Sequence, residues 1–561
     1  MADMNRDEVM DLYRRLRSRW SSRNAEYDLA RLRYNGVHWD ELTNPAPENR
    51  YSLTANYLKP VVDKSVQSLM GRLPALQVMP AGTDLVSRRH AEQLEGVLYG
   101  TWEANEAGVQ LWNAAWDSFV LRRGLLYVWW DPKKKLVRFK QCTPDNFYPQ
   151  YDGNEVWRCV YVSRRDTDRL KKEYPDQADE IFSDTEMDFA LTALDAAGRI
   201  VSETETTIFD VFDVDGNFTR VMGNAVINRR LNYPFKALPF VDLPCFPQGG
   251  LVEPLNLIDQ LVELNQYLDQ LISQKADIIS RYANPTILDF SSGQGPEDIR
   301  RSVAAQGAVI PVRRDGDIRL LNWQGTVPAI DEQISLVMDM LFDLAGKPRA
   351  SFGQSITNQS GIVTNLSLNP TLQSNEAHEL VWSAGLSKLN EYILMLWEEF
   401  MSGDQIDFRG RYSTATGSSK LYDVSITGKD IAGWYKNRIK WPSAIRTDDP
   451  VYVQNHLQQL QAQPFPALSL YTYLEEMGRE DVEAEIDRIG QQLEDPRFHP
   501  DRMTASVNAM TALQGQTLPG QDVTNGPGVG SGPPGADAAY AASLQAAGST
   551  TSGAPPSIPG R

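Results

Sequence analysis

Two places in this chain approach a known chemical motif, and neither completes one. A loop that cradles phosphate needs GxxxxGK[ST], so that backbone amides, a lysine and a metal-binding hydroxyl converge. Gly346-Lys347 closes an apolar run, but Pro348 stands where the hydroxyl belongs. A zinc-binding helix of the HExxH kind needs two histidines one turn apart. His378-Glu379 is followed by Trp382 in place of the second histidine. The five histidines (38, 90, 378, 456 and 499) lie far apart, which disfavours a histidine-rich metal centre. No GxSxG nucleophile turn occurs. Asp448-Asp449, in "TDDP", invites a cation, yet carboxylates ahead of a helical run are explained by capping. The expectation is no catalytic residue, no metal and no cofactor.

A different cluster stands out by what it lacks. Residues 350–375, "ASFGQSITNQSGIVTNLSLNPTLQSN", carry no charge in a chain that is 23% Asp, Glu, Lys and Arg. Ser, Thr, Asn and Gln fill about half of the stretch. Such groups exchange hydrogen bonds readily with water. They also meet phosphate without the counterion release that makes Lys and Arg bind it tightly. The stretch reads as a long loop over 348–372, uncharged from Ala350 onward and held between helices.

The elements that hold this loop are legible from periodicity. Leu251, Leu255, Ile258, Leu261, Leu264, Leu268, Leu271, Ile272 and Ile279 recur at spacings of three and four, which predicts a helix over 251–282. At 1.5 Å per residue that is a rod of roughly 40 Å. Its carboxylates, Asp259, Glu263, Asp269 and Asp277 among them, read as a solvated face and, with Lys275, exclude a plain membrane span. Ile330, Ile334, Val337, Leu341 and Leu344 predict a second helix over 328–347, opened by Pro328 and stopped by Gly346 and Pro348. Between them "NPTILDF", "AAQGAVIPV" and "DGDIRLLNW" read as strands, with a short helix in "GPEDIRRSVAA". A third long helix begins at about 373.

The rest is mixed. Residues 1–33 read as an arginine-dense helix, "ANYLKPVVDKSVQSLMGRLP" as an amphipathic helix ended by Gly71 and Pro74, and 86–122 as helical again. Short β-branched and aromatic strands follow as far as 250. Further strands fill 404–441, a helical layer covers 448–495, and from about 515 the chain is Gly, Pro, Ser, Thr and Ala, a composition expected to be disordered. A hydrophobic content of 42% with 13 Trp and 22 Tyr implies a packed core. The net charge of −18 argues against an ordinary DNA-binding module. Three cysteines without CxxC spacing fit a reduced compartment, and the charged N-terminus lacks an apolar signal segment. Two projecting amphipathic helices cannot cover both of their own apolar stripes, so copies of the chain are expected to pack side by side. Leu255, Ile258, Leu261, Leu268, Leu271, Ile334 and Leu341 are the residues expected at that packing.

The order of parts resembles the portal proteins of tailed bacteriophages, in the branch with long, several-domain subunits. The motifs are "RLRYNG", "NYLKPVVDKSVQSLMGRLP", "PLNLIDQLVELNQYLDQLISQ", "YANPTIL", "AGKPRASFG", "QSGIVTNLS" and "GREDVEAEIDRI", in that order over residues 10 to 495. The resemblance implies an α+β, ring-forming, non-enzymatic subunit. It would have an N-terminal wing (1–250), stem helices (251–282 and 328–347) and a clip (283–327). A tunnel loop (348–372), a wing helix with strands (373–447), a crown (448–496) and a disordered tail (497–561) would follow. It also implies a ring, generally of twelve, at one capsid vertex of the virion, assembled in the host cytoplasm. Double-stranded DNA would pass through it during packaging and ejection. Terminase, head-completion or adaptor proteins, and major capsid and scaffolding proteins would be its partners, with no membrane. Gln354, Ser355, Thr357, Asn358, Gln359 and Ser360 of the tunnel loop would face the DNA. The competing expectations are a metal-dependent virion nuclease, which requires a convergent acidic cluster, and a membrane-surface protein, for which the helix over 251–282 is too acidic.

Overall fold

A computed structural model describes residues 4–39, 51–153, 155–184, 204–249, 252–283, 327–347, 361–413 and 419–442, three short strands between 287 and 320, and brief stretches between 454 and 490. All elements named below fall in the first of two compact units, Met1–Ile486.

The arginine-dense N-terminus forms two helices rather than one, α1 (Arg6–Arg19) and α2 (Ser21–Tyr34). The break is at Trp20, whose buried indole donates to the Pro149 carbonyl at 2.9 Å and so turns the chain. Arg23 is buried, lies 4.7 Å from the Trp20 ring centroid and donates to the Phe147 carbonyl, which makes this arginine a packing residue. Then come α3 (Leu58–Met70), β1 (Ala75–Val78), α4 (Leu85–Ala104) and α5 (Ala107–Leu121).

The aromatic run becomes two antiparallel sheets. β2 (Arg123–Asp131) and β3 (Leu136–Cys142) form one, and β4 (Phe147–Asp152), β5 (Glu155–Asp166), β6 (Glu205–Asp213), β7 (Asn217–Met222) and β8 (Ala225–Arg230) form a five-stranded meander. A short helix, α6 (Thr167–Glu173), leaves β5, and β9 (Phe240–Pro244) returns to pair with β2. Alternation along the meander decides its two faces. Val160, Phe209, Val211 and Val221 bury against Val9, Leu12, Tyr13 and Leu16 of α1. On the opposite face Phe212 and Phe218 pack with Phe240 of the smaller sheet.

The second half supplies α7 (Val262–Ala283), β10 (Ile287–Asp289), β11 (Val309–Pro311), β12 (Arg319–Leu320), α8 (Val327–Leu344), α9 (Gly361–Phe400), β13 (Gln405–Ser413), β14 (Ser419–Thr427) and β15 (Asn437–Lys440). The strands between α7 and α8 form a three-stranded sheet in the order β11-β10-β12. Trp382, Leu386, Leu389, Ile393 and Leu396 put a fully buried stripe of α9 through the main core. α4 lies close on β13 and β14, and a Cβ at Gly100 would come within 2.3 Å of the Phe408 ring.

Two helix boundaries differ from expectation. α7 begins at Val262, eleven residues later than its periodicity suggested. Ahead of it, Leu255 exchanges both backbone hydrogen bonds with Phe246, and buried Asn256 donates to the Val120 carbonyl, so this segment bonds outward instead of along a helix. Pro254 also favours an extended neighbour. In the other direction α9 starts at Gly361, so residues 361–372, expected as loop, have helical backbone. The helix there contains Pro370, which has no N–H to give and reads in sequence as a breaker.

All three cysteines are free and buried. Burial pushes the Cys142 thiol up to about 11 and those of Cys159 and Cys245 well above their ordinary value, so none is a reactive thiolate.

Candidate functional site

α7 and α8 run antiparallel. Lys275 pairs with Asp331, Val337 packs with Leu268 and Leu271, and Leu341 joins Leu261 in the main core, so residue numbers climb in opposite directions. At 1.5 Å per residue they are rods of about 33 and about 27 Å.

A third strand of chain covers their seam. The extended segment 51–57 lies along α7, and its alternate backbone amides are taken up one by one. Tyr51 N–H donates to Asp277 Oδ1 at 3.0 Å, Leu53 N–H to Ser273 Oγ at 2.9 Å, Ala55 N–H to Asp269 Oδ1 at 2.7 Å and Tyr57 N–H to Asn265 Oδ1 at 3.1 Å. The fit is one of periods: two residues of extended chain span about 6.6 Å and four residues of helix about 6 Å. A polar row at every fourth helix position can therefore keep step with every second amide of a strap. Asp269 also receives His38 Nδ1 at 2.5 Å, while His38 Nε2 faces the Arg33 carbonyl at 3.1 Å. Ala55 and Tyr57 of the strap pack against Leu268, Leu271 and Val337, and the Tyr57 and Phe342 rings meet edge to face at 5.9 Å.

This arrangement relocates several expectations. Asn265, Asp269, Ser273 and Asp277 are buried, so two carboxylates expected on a solvated face are instead internal acceptors. Ile258, Leu261, Leu268, Leu271 and Leu341 are buried within this chain, Ile334 packs partly buried on the same seam, and Leu255 is half-buried in its bridge to Phe246. The stripe expected to await a neighbouring copy is thus covered by the chain's own strap and core. What α8 leaves exposed is a different row, Leu336, Met340 and Leu344, each about half exposed at 53%, 45% and 55% and four residues apart. Four-residue spacing places them on one helix face.

The base of the neutral segment is tied at both ends. Just past α8, Lys347 is buried and donates to Asn375 Oδ1 of α9 at 2.9 Å, and Asn375 in turn donates to Ser68 of α3. One side-chain bond therefore joins the two ends of the span 348–374. Gln354, Ser355, Thr357, Asn358, Gln359 and Ser360 lie outside the described residues, as does Asp448-Asp449. His378, one turn beyond Asn375, sits between the rings of Phe119 and Phe246 at 4.9 and 4.7 Å. Burial, with the Lys347 ammonium next, lowers it to about 4, so it is a neutral packing residue at physiological pH.

Burial, reinforced by nearby Lys64, pushes Lys347 down from 10.5 to about 8. Folded Lys347 thus holds its proton less tightly than unfolded lysine. Stability at this junction should rise as pH climbs from about 8 towards 10.5, because the unfolded chain then binds more protons. Lys347→Met should abolish that rise and stabilise the protein at pH 7 by about 1–3 kcal/mol, since no charge is left buried. Thermal melts from pH 7 to 10 check this, and parallel wild-type and variant curves would count against it.

Among the described residues no group of three or more His, Cys, Asp or Glu is placed to hold a metal ion, and no helix is long and apolar enough to cross a membrane. The polar ladder and the Lys347 tie were missed in sequence. The available signal was the four-residue repeat Asn265, Asp269, Ser273, Asp277. A family model described as phage portal protein, SPP1 Gp6-like, matches residues 13–495. No curated protein matches the chain.

Proposed function

The chain belongs to the SPP1 Gp6-like phage portal protein family, and from that premise we propose that it closes into a ring of about twelve copies whose lumen passes double-stranded DNA. As a portal protein it occupies the capsid vertex and connects head to tail. In the proposed assignment α7 and α8 are the stem, the three-stranded sheet between them is the clip, and 348–360 with the start of α9 forms the tunnel loop. The meander and its neighbours form the wing, and 448–496 the crown. The clip would dock terminase and then head-completion proteins, and the wing would face major capsid and scaffolding proteins.

The observation that carries this reading is the antiparallel helix pair with a small sheet at its turn, followed at once by a neutral segment clamped at its base. A clamp at the root lets a loop respond to what passes without loosening the core. Negative-stain images and the solution mass of the purified protein test the ring. Closed rings near twelve times 63.0 kDa are expected, and a uniform monomer with capsid and scaffold partners present would overturn it.

The neutral loop makes its own prediction. A lysine at Gln354 or Gln359 would be repeated in every subunit, and each phosphate contact it made would release counterions and tighten the hold on DNA. Gln354→Lys and Gln359→Lys should leave ring assembly intact while shortening the packaged DNA. Packaging of full length by both variants would remove the loop from the DNA path.

A further inference from the structure

The open end between the two wing sheets holds a cleft of about 890 Å3, and its chemistry departs from that of the rest of the chain. Lys133, Lys140, Arg165, Arg220, Arg229 and Arg230 line it against three carboxylates, Asp131, Glu173 and Asp210, in a chain of net charge −18. Strand alternation puts this chemistry there. Tyr161, Ser163 and Arg165 of β5 and Ile208, Asp210 and Phe212 of β6 point into the cleft, while the residues between them face α1 or their own neighbours.

The floor is already neutral. Arg220 holds Asp210 through two bonds of 2.7 and 2.8 Å and also reaches the Tyr174 hydroxyl, and Arg165 pairs with Glu173 at 2.6 Å. The rim is not. Lys133, Lys140, Arg229 and Arg230 are exposed and form no ion pair among the described residues. Between rim and floor stand aromatic walls, with Trp129 stacked on Tyr127 at 5.1 Å and Trp130 on Phe400 at 5.2 Å. A few fixed polar groups within mainly apolar walls, at this volume, are the usual makings of a recognition site.

We propose that this cleft docks an extended acidic segment of another protein that also carries aromatic or aliphatic side chains. The rim cations meet the acidic side chains and the walls take the apolar ones. A peptide is favoured over nucleic acid by the sheet order. β8 is the last strand of its sheet and ends in Arg229 and Arg230, so its outer edge, unpaired by any described strand, offers main-chain hydrogen bonds beside the cations. An extended peptide can add to such an edge, and a polynucleotide cannot. The strong negative charge of the whole subunit also repels a long polyanion more than a short acidic segment.

The test uses the full chain and three fluorescein-labelled probes read by anisotropy. One is a decapeptide alternating Glu with Phe and Leu, one replaces every Glu by Lys, and one is a single-stranded oligonucleotide of matching charge. The acidic peptide should bind saturably, more weakly as salt rises, and the lysine version should not. Arg229→Glu with Arg230→Glu, and separately Lys133→Glu on its exposed turn, should each weaken binding about tenfold or more, with unchanged thermal melts. Absence of saturable binding, equal binding by the folded variants, or preference for the oligonucleotide would each overturn the proposal.

Discussion

Leu336→Glu combined with Met340→Glu should abolish the proposed ring while leaving the subunit folded. Both side chains are about half exposed in the single chain, and glutamate is a good helix former, so the monomer loses little. The row Leu336, Met340 and Leu344 is the apolar face of α8 left half exposed among the described residues, and the proposed ring would cover it with a neighbouring copy. Fully burying a Leu or Met side chain is worth about 1.5–3 kcal/mol, and about half of each is already buried, so losing two weakens each contact by roughly 1.5–3 kcal/mol, or about 10 to 10^2-fold. Ring closure repeats that loss at every interface. Mass measurement and imaging should show monomers with an unchanged melting profile. Rings at wild-type yield would place the subunit contact elsewhere.

This prediction falls on residues other than those singled out by periodicity, and the reason is physical. Spacing of three and four marks which residues share a helix face, but it does not mark what covers them. Leu268 and Leu271 share an apolar stripe, and that stripe is covered by a strap some 210 residues earlier in the chain, while Leu341 is buried in the main core. No local pattern announces such a partner. The same limit hid Asp269, because a polar residue every fourth position looks alike whether it faces water or a row of backbone amides. Helix starts failed for a related cause. Leu255 and Ile258 keep helical spacing into α7, yet their segment bonds to Phe246, Phe119 and Val120 instead. Strands were easier, since alternation in β5 and β6 is local. Even so, the alternation Tyr161, Ser163, Arg165 did not disclose that both flanking sheets leave a cleft on that face.

Asp269→Ala should be the most damaging single change on α7. The carboxylate accepts from His38, which is buried with it, and from the amide of half-buried Ala55. Removing that acceptor leaves two donors short of a partner, at a cost of about 1–3 kcal/mol for each group deprived in a water-poor setting. The Ala55 N–H is orphaned at the same time. Since the strap is held amide by amide, the loss should appear first as local opening: hydrogen exchange at Leu53, Ala55 and Tyr57 should quicken by roughly 10^2 to 10^3-fold. Ser273→Ala removes one neutral acceptor, worth about 1 kcal/mol, and should quicken exchange at Leu53 only about fivefold. Asp269→Asn keeps an oxygen for the Ala55 amide and should fall between the two. An opened strap would uncover Leu268, Leu271 and Val337, so Asp269→Ala should also yield aggregates in place of closed rings. Unchanged exchange at 53–57 in Asp269→Ala would mean that packing of Tyr57 on Phe342, rather than the ladder, holds the strap to α7 and α8.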